Sequence, residues 1–130
     1  MKTRLLAVLL VAGVLVTGHP MSAHHGSAAY EAERVEMTGV TVREFLWANP
    51  HCIVRFDVTD ESGTVTQWAG ELGSPSALVI DGLARTSLQP GDVVTIDITV
   101  STTRNPVGWI RSITFADGSV WEAGQVLTAG

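Results

Sequence analysis

One cysteine, one lysine and one long apolar run are all that these 130 residues contain of their kind. Cys52, alone, excludes an intramolecular disulfide, so packing and hydrogen bonds must hold the fold. Its neighbour Ile53 and its strand-like surroundings point to a buried, inert thiol. The single lysine, Lys2, forms with Arg4 a short positive segment ahead of the apolar run, Leu5 to Val16, which only Gly13 interrupts. Such a run falls short of the roughly 20 residues that cross a bilayer as a helix, and small residues follow it. That order is that of a secretory signal, expected over residues 1–23. The protein is therefore expected to be periplasmic or secreted, with no stable membrane insertion once the signal is removed.

Beyond the signal no lysine remains. Six arginines then stand against thirteen acids, all at Glu31 or later, for a net charge near −7. A nucleic-acid partner would want a basic face, so none is expected, whereas a metal ion or a cationic ligand is compatible. Also missing are a Gly-x-Ser-x-Gly nucleophile elbow and a carboxylate pair at glycosidase-like positions. The residues give hydrolase chemistry no support, and the expectation is a protein that is not an enzyme.

What is present is strand periodicity. Residues 24–34 read as an extended arm, 35–125 as one small domain and 126–130 as a tail. Thr38 to Trp47 suits a long, bent strand that contributes to two faces, with Gly39 as a bulge. Cys52, Val54, Phe56 and Val58 form one apolar face of a second strand over 51–59. Asp60-Glu61-Ser62-Gly63 turns the chain into a returning strand, Thr64 to Gly70. Ser74-Pro75 is a helix start, a capping hydroxyl followed by proline at the first helical position. The helix is expected to run two or three turns, with Leu78, Val79 and Leu83 on one side. After the Pro90-Gly91 turn, Val94, Ile96, Ile98 and Val100 share one face of the strongest strand. Thr102 to Gly108 reads as a loop, Trp109 to Phe115 as a strand with Trp109, Arg111, Ile113 and Phe115 alternating, and Val120 to Glu122 as a last short strand. Five strands with one helix between the third and fourth is the order of an all-β, OB-like Greek-key barrel. A small open β-sandwich is the alternative.

Five motifs occur in a fixed order: His24-His25-Gly26-Ser27, Trp47-Ala48-Asn49-Pro50-His51, Trp68-Ala69-Gly70-Glu71-Leu72-Gly73-Ser74-Pro75, Leu88-Gln89-Pro90-Gly91-Asp92, and the run from Arg111 to Gly118. Together they resemble a family of small exported bacterial proteins classed as a domain of unknown function. The resemblance covers nearly all of the chain after the signal. It implies export and single-domain size, and it assigns no reaction.

The residues that offer chemistry are histidines. Cleavage after Ala23 would leave His24 as the first residue, although Met21 is larger than the pattern before a cut prefers. Cleavage after Gly18 or Ala28 would give other ends. An N-terminal histidine presents a free amine and an imidazole that can chelate one ion, and the amine loses its proton near pH ~8. A third nitrogen from His51 or His25 would complete a donor set that favours Cu(II), the arrangement known as a histidine brace. His51 follows Pro50, which cannot donate to a strand ladder and biases Asn49 towards extended backbone, so the chain must turn there. Trp47 lies near it in sequence. Glu71 is a candidate partner for an imidazole, or else it faces the positive end of the helix. The expected cofactor is thus copper or none. The expected function is an exported small binding module that holds a copper-like ion through His24, His25 and His51. The alternative is a metal-free accessory protein of the bacterial envelope, with an envelope protein as partner, using a face that bears Trp47, Trp68, Trp109 and Trp121. Those tryptophans also suit core packing.

Overall fold

The computed structural model describes residues 33–103 and 106–125. Six strands and one short helix follow in the order β1 (Arg34–Leu46), β2 (Ile53–Thr59), β3 (Val65–Glu71), α1 (Pro75–Ile80), β4 (Val93–Val100), β5 (Val107–Thr114) and β6 (Val120–Glu122). They form one sheet in the order β3-β2-β1-β4-β5-β6. A further parallel pairing of Ala69, Gly70 and Glu71 on β3 with Val107, Gly108 and Trp109 on β5 joins the two flanks. Five strands thereby make a closed ring, β1-β2-β3-β5-β4, with β6 paired to the second half of β5, beyond the stretch that β3 takes. The all-β class with a single helix is as expected, and one closed sheet replaces the open-sandwich alternative.

Closure needs stagger between strands, and the register supplies it. From Leu46 the pairing runs to Ile53, Glu71, Trp109, Thr99 and finally Arg34. One circuit begins at the last residue of the thirteen-residue β1 and returns to its first.

The inward residues follow the pleat except at three places. Met37 packs against the core, Val40 and Val42 are buried in it, and Phe45 packs against it again. Each spacing of three rather than two falls on a register shift, between Met37 and Val40 and between Val42 and Glu44. Gly39, with φ +64, is the expected bulge, where glycine adopts left-handed backbone at no steric cost. On β5 the same jump separates Ile110 from Ile113, both fully buried, at a shift opposite Asp97 and Ile98. The anticipated run Trp109-Arg111-Ile113-Phe115 therefore changes face: Trp109 and Arg111 stand outside, Ile113 inside. β5 also starts at Val107, inside the stretch read as a loop, because that end is recruited by β3.

On β2 and β4 simple alternation holds. Cys52, Val54 and Phe56 are buried and Val58 packs against them, as Val94, Ile96 and Ile98 are buried and Val100 packs against them. Ser74 caps α1, its Oγ accepting from the Ala77 N–H at 3.3 Å, with Pro75 in the first turn. The helix has only six residues, shorter than expected, because Asp81 caps it and Gly82 takes φ +86. Leu78 is its one buried residue and Leu83 is buried just beyond it, whereas Val79 is 62% exposed. A stub this short presents a single residue to the core, since successive helical side chains diverge by about 100°.

Candidate functional site

His51 stands at the corner between β1 and β2, after an Asn49–Pro50 peptide that is cis. The corner is anchored from behind. The Cys52 N–H donates to the Gly73 carbonyl at 3.0 Å and the Leu72 N–H donates to the Cys52 carbonyl at 2.9 Å. Cys52 is fully buried, its thiol 3.8 Å from the Ala48 carbonyl oxygen, and burial pushes its pKa up. The expected inert cysteine is thus part of the anchor, and its inward side chain commits its neighbour His51 to the surface.

That imidazole is exposed but not loose. Its ring meets the indole of Trp109 edge to face, with centroids 5.4 Å apart and planes at 89°. Such pairs contribute about 0.5–1.5 kcal/mol beyond the area they bury. The tryptophan near His51 in sequence, Trp47, pairs instead with Phe45, at 5.5 Å and 89°. Trp109 reaches His51 only because the β3–β5 seam brings the start of β5 beside the end of β3.

Glu71 is the direct neighbour of Trp109 in that seam, and of Ile53 on the other side. Its side chain alternates with the buried Gly70 and Leu72, so it stands on the outer face with Trp109. Glu71 and Trp109 each have interactions of their own, and neither is a free group. No acid lies in the first turn of α1. Two strands round the ring from Trp109, past Thr99, lies Arg34, and the carbonyl of Glu33 just before it accepts from the Val100 N–H at 2.9 Å. The described chain therefore begins on the flank that carries Trp109. At strand spacings of about 4.8 Å, Arg34 and Trp109 are roughly 10 Å apart.

His24 and His25 lie outside the described residues. Among the described residues no group of three or more His, Cys, Asp or Glu side chains is gathered as a metal cluster, and no helix is long and apolar enough to cross a membrane.

The four tryptophans do not share a face. Trp121 belongs to the core, Trp47 and Trp68 pack against it, and Trp109 stands outside. Core packing, the role expected first for this set, accounts for three of the four. Trp121 departs from the usual pattern in one respect: its indole N–H is buried with no hydrogen-bond partner. The tryptophan–histidine pair escapes local sequence reasoning because its signal is a strand register, not a spacing.

Outside the ring, arginines pair with acids across strands. Arg34 meets Asp97 at 2.6 Å, Arg43 meets Asp57 at 3.0 Å and Arg55 meets Glu44 at 3.1 Å. The Asp97 carboxylate, first by hydrogen bond and then by charge, raises the pKa of Arg34. Arg111 donates from Nε to the Thr99 hydroxyl at 2.9 Å. Four of the arginines are thus engaged with neighbours on the ring.

Compared with known proteins, residues 11–111 match the sequence model of a family of unknown function (DUF6152). The matched span takes in the His51 corner, Glu71 and Trp109, and ends within β5. No curated protein and no solved structure matches the chain.

Proposed function

We propose, for a chain that belongs to the DUF6152 family of unknown function, a non-catalytic binding module exported from a bacterial cell that holds a copper-like ion through its processed N-terminus and His51. The amine and imidazole of His24 supply two nitrogens and His51 the third, with His25 as the alternative donor. A nitrogen-rich set of this kind favours Cu(II) over other divalent ions. The cyclic strand order, with a parallel β3–β5 seam and the helix between β3 and β4, supports reading the fold as an OB-type barrel, in which one sheet face commonly takes the ligand.

The observation that carries this reading is the exposed His51 ring held against Trp109. A ligand already held in one orientation loses less freedom when it binds. Two further features support it. Glu71, beside Trp109 on the same face, offers a carboxylate that can fix the tautomer of a ligating imidazole. Glu33 sits two strands away, and the eight residues back to His25 reach at most about 28 Å when extended, enough to return to His51. Delivery, storage or sensing is the use we assign to the site in preference to turnover, since among the described residues no second catalytic group is named for it.

The test is made on natively exported protein. Intact mass is expected to place residue one at His24. Calorimetry and EPR are expected to show one Cu(II) per chain bound through nitrogen, lost in His24→Ala and in His51→Ala. Unchanged affinity in both variants, or processing beyond His25, would overturn the proposal.

A further inference from the structure

At the far end of β5 from Trp109 the sheet stops at β6, and among the described residues no strand pairs with the outer edge of β6. The backbone groups open there can be named. The Phe115 N–H donates to the Ser119 carbonyl and the Ala123 N–H to the Arg111 carbonyl, each at 2.9 Å, so the odd-numbered residues of this hairpin face one another. By alternation Val120 and Glu122 turn their backbone groups away from β5, towards the open edge. A cleft of about 220 Å³ runs there, bounded opposite by Gly82, Leu83 and Ser87 from the loop after α1. Its lining takes Trp121 from the buried side of β6 and Val120 and Glu122 from the exposed side. The cleft therefore follows the edge of the strand and not either face.

We propose that the chain covers this edge itself: Val126, Leu127 and Thr128, which lie outside the described residues, pair antiparallel with β6 and fill the cleft. The proposal is independent of the metal reading and uses none of its residues.

Three observations carry it. First, the chain already turns back. The Gln125 N–H donates to the Glu122 carbonyl at 3.4 Å around Ala123 and Gly124. Gly124 takes φ +77, the positive value that glycine supplies at the third place of a β-turn. Asp81 Oδ2 holds the turn from the opposite wall, accepting from the Gly124 N–H at 3.0 Å. Second, Gln125, the last of the described residues, itself lines the cleft. Running back beside β6 takes three residues, about 10 Å of strand, and 126–130 supply five.

Third, the register set by the turn matches apolar to apolar. With Gln125 opposite Glu122, Val126 falls opposite Trp121 and Leu127 opposite Val120. Opposite residues of an antiparallel pair share a face. Val126 then stands on the inner side with Trp121, towards Leu83 and Phe115, and Leu127 lies against Val120, which is otherwise 58% exposed. A slip of one residue would exchange those sides. An open edge is also a template for foreign strands, and a strand of the same chain removes it.

The test is nuclear magnetic resonance on the full exported chain. A close Hα–Hα contact is expected between Trp121 and Val126, a pair without mutual hydrogen bonds and so the nearer kind. The Val120 amide should exchange about tenfold more slowly than in a chain stopped after Gln125, the scale of one hydrogen bond. Leu127→Pro removes the N–H that would meet the Val120 carbonyl, and should return exchange to the level of the stopped chain. Thr128→Pro should keep the protection, because the N–H it removes points away from β6. Absence of the Trp121–Val126 contact in the unaltered chain would overturn the proposal. So would equal Val120 exchange in the full and stopped chains, or equal effects of the two prolines. Protection that grows with protein concentration would put a strand of a second copy on the edge, and overturns it as well.

Discussion

Replacing Gly108 with alanine should open the ring at its seam. A Cβ on Gly108 would lie 2.6 Å from Ile98 Cγ1 and 2.6 Å from the Thr99 carbonyl oxygen, and at Gly70, its partner across the seam, 2.5 Å from Ile110 Cγ1. Overpacking of a tight site typically costs 1–3 kcal/mol. At Gly70 the obstacle is a side chain that can change rotamer. At Gly108 it includes a backbone carbonyl in β4, and Gly108 is itself paired to Val100, so relief requires one pair of strands to part. The seam holds only three residue pairs, and losing two or three hydrogen bonds at about 1 kcal/mol each gives the same scale. Alanine returns about 0.4–1 kcal/mol by narrowing the unfolded ensemble. The expected net loss is about 2 kcal/mol, which in a domain of this size lowers Tm by roughly 8–16 °C. Gly39→Ala is the control, since nothing lies within 4 Å of its Cβ and only its left-handed φ resists, a cost of about 1 kcal/mol. Urea denaturation followed by circular dichroism separates the two. A loss at Gly108 below about 0.5 kcal/mol, or smaller than the loss at Gly39, would refute the close-packed seam.

Three other outcomes follow from the same geometry. Cys52 should resist a thiol reagent in the folded protein and react only as fast as the chain opens, because burial raises its pKa and shields it; rapid native labelling would contradict its place in the anchor. Asp60 has its pKa lowered, chiefly by the Ser62 hydroxyl and then by the Thr64 N–H, and Asp117 likewise by Ser119. Both therefore add stability that is present above the ordinary carboxylate range and lost as pH falls through their lower folded values. The amide signals of Ser62, Thr64 and Ser119 should titrate below about pH 3.9, and midpoints at or above it would show the turns unlatched. Ser74→Ala should cost about 1 kcal/mol through the lost helix cap, read as a shift of the urea midpoint at unchanged slope; no shift would mean that packing of Leu78 alone fixes α1.

What local pattern could show, it showed where each strand kept its pleat. β2 and β4 are legible as alternating runs because nothing interrupts them, and the bulge in β1 at Gly39 is legible because glycine marks it. The second bulge in β1 carries no such mark, since Val42, Arg43 and Glu44 have ordinary side chains. The bulge in β5 hides in the same way behind an apparent alternation of Trp109, Arg111 and Ile113. Sheet closure was inferable from element order, but the β3–β5 register that places Trp109 against His51 is a contact between distant segments. No spacing in the sequence encodes it.

The seam also explains why the motif from Trp68 to Pro75 is a unit. Trp68 packs against the core opposite Phe56. Gly70 makes room for Ile110 at the closure, and Glu71 meets Trp109 outside it. Leu72 and Gly73 latch the His51 corner through Cys52, and Ser74-Pro75 starts the helix at once. Eight consecutive residues therefore close the ring of strands and brace the one described histidine. A substitution that loosens the closure should loosen the imidazole with it. Gly108→Ala, which touches no proposed metal ligand, is then expected to weaken copper binding as well as stability. Intact affinity in a variant shown to have lost the seam would mean that the site does not depend on a His51 ring held in place by Trp109.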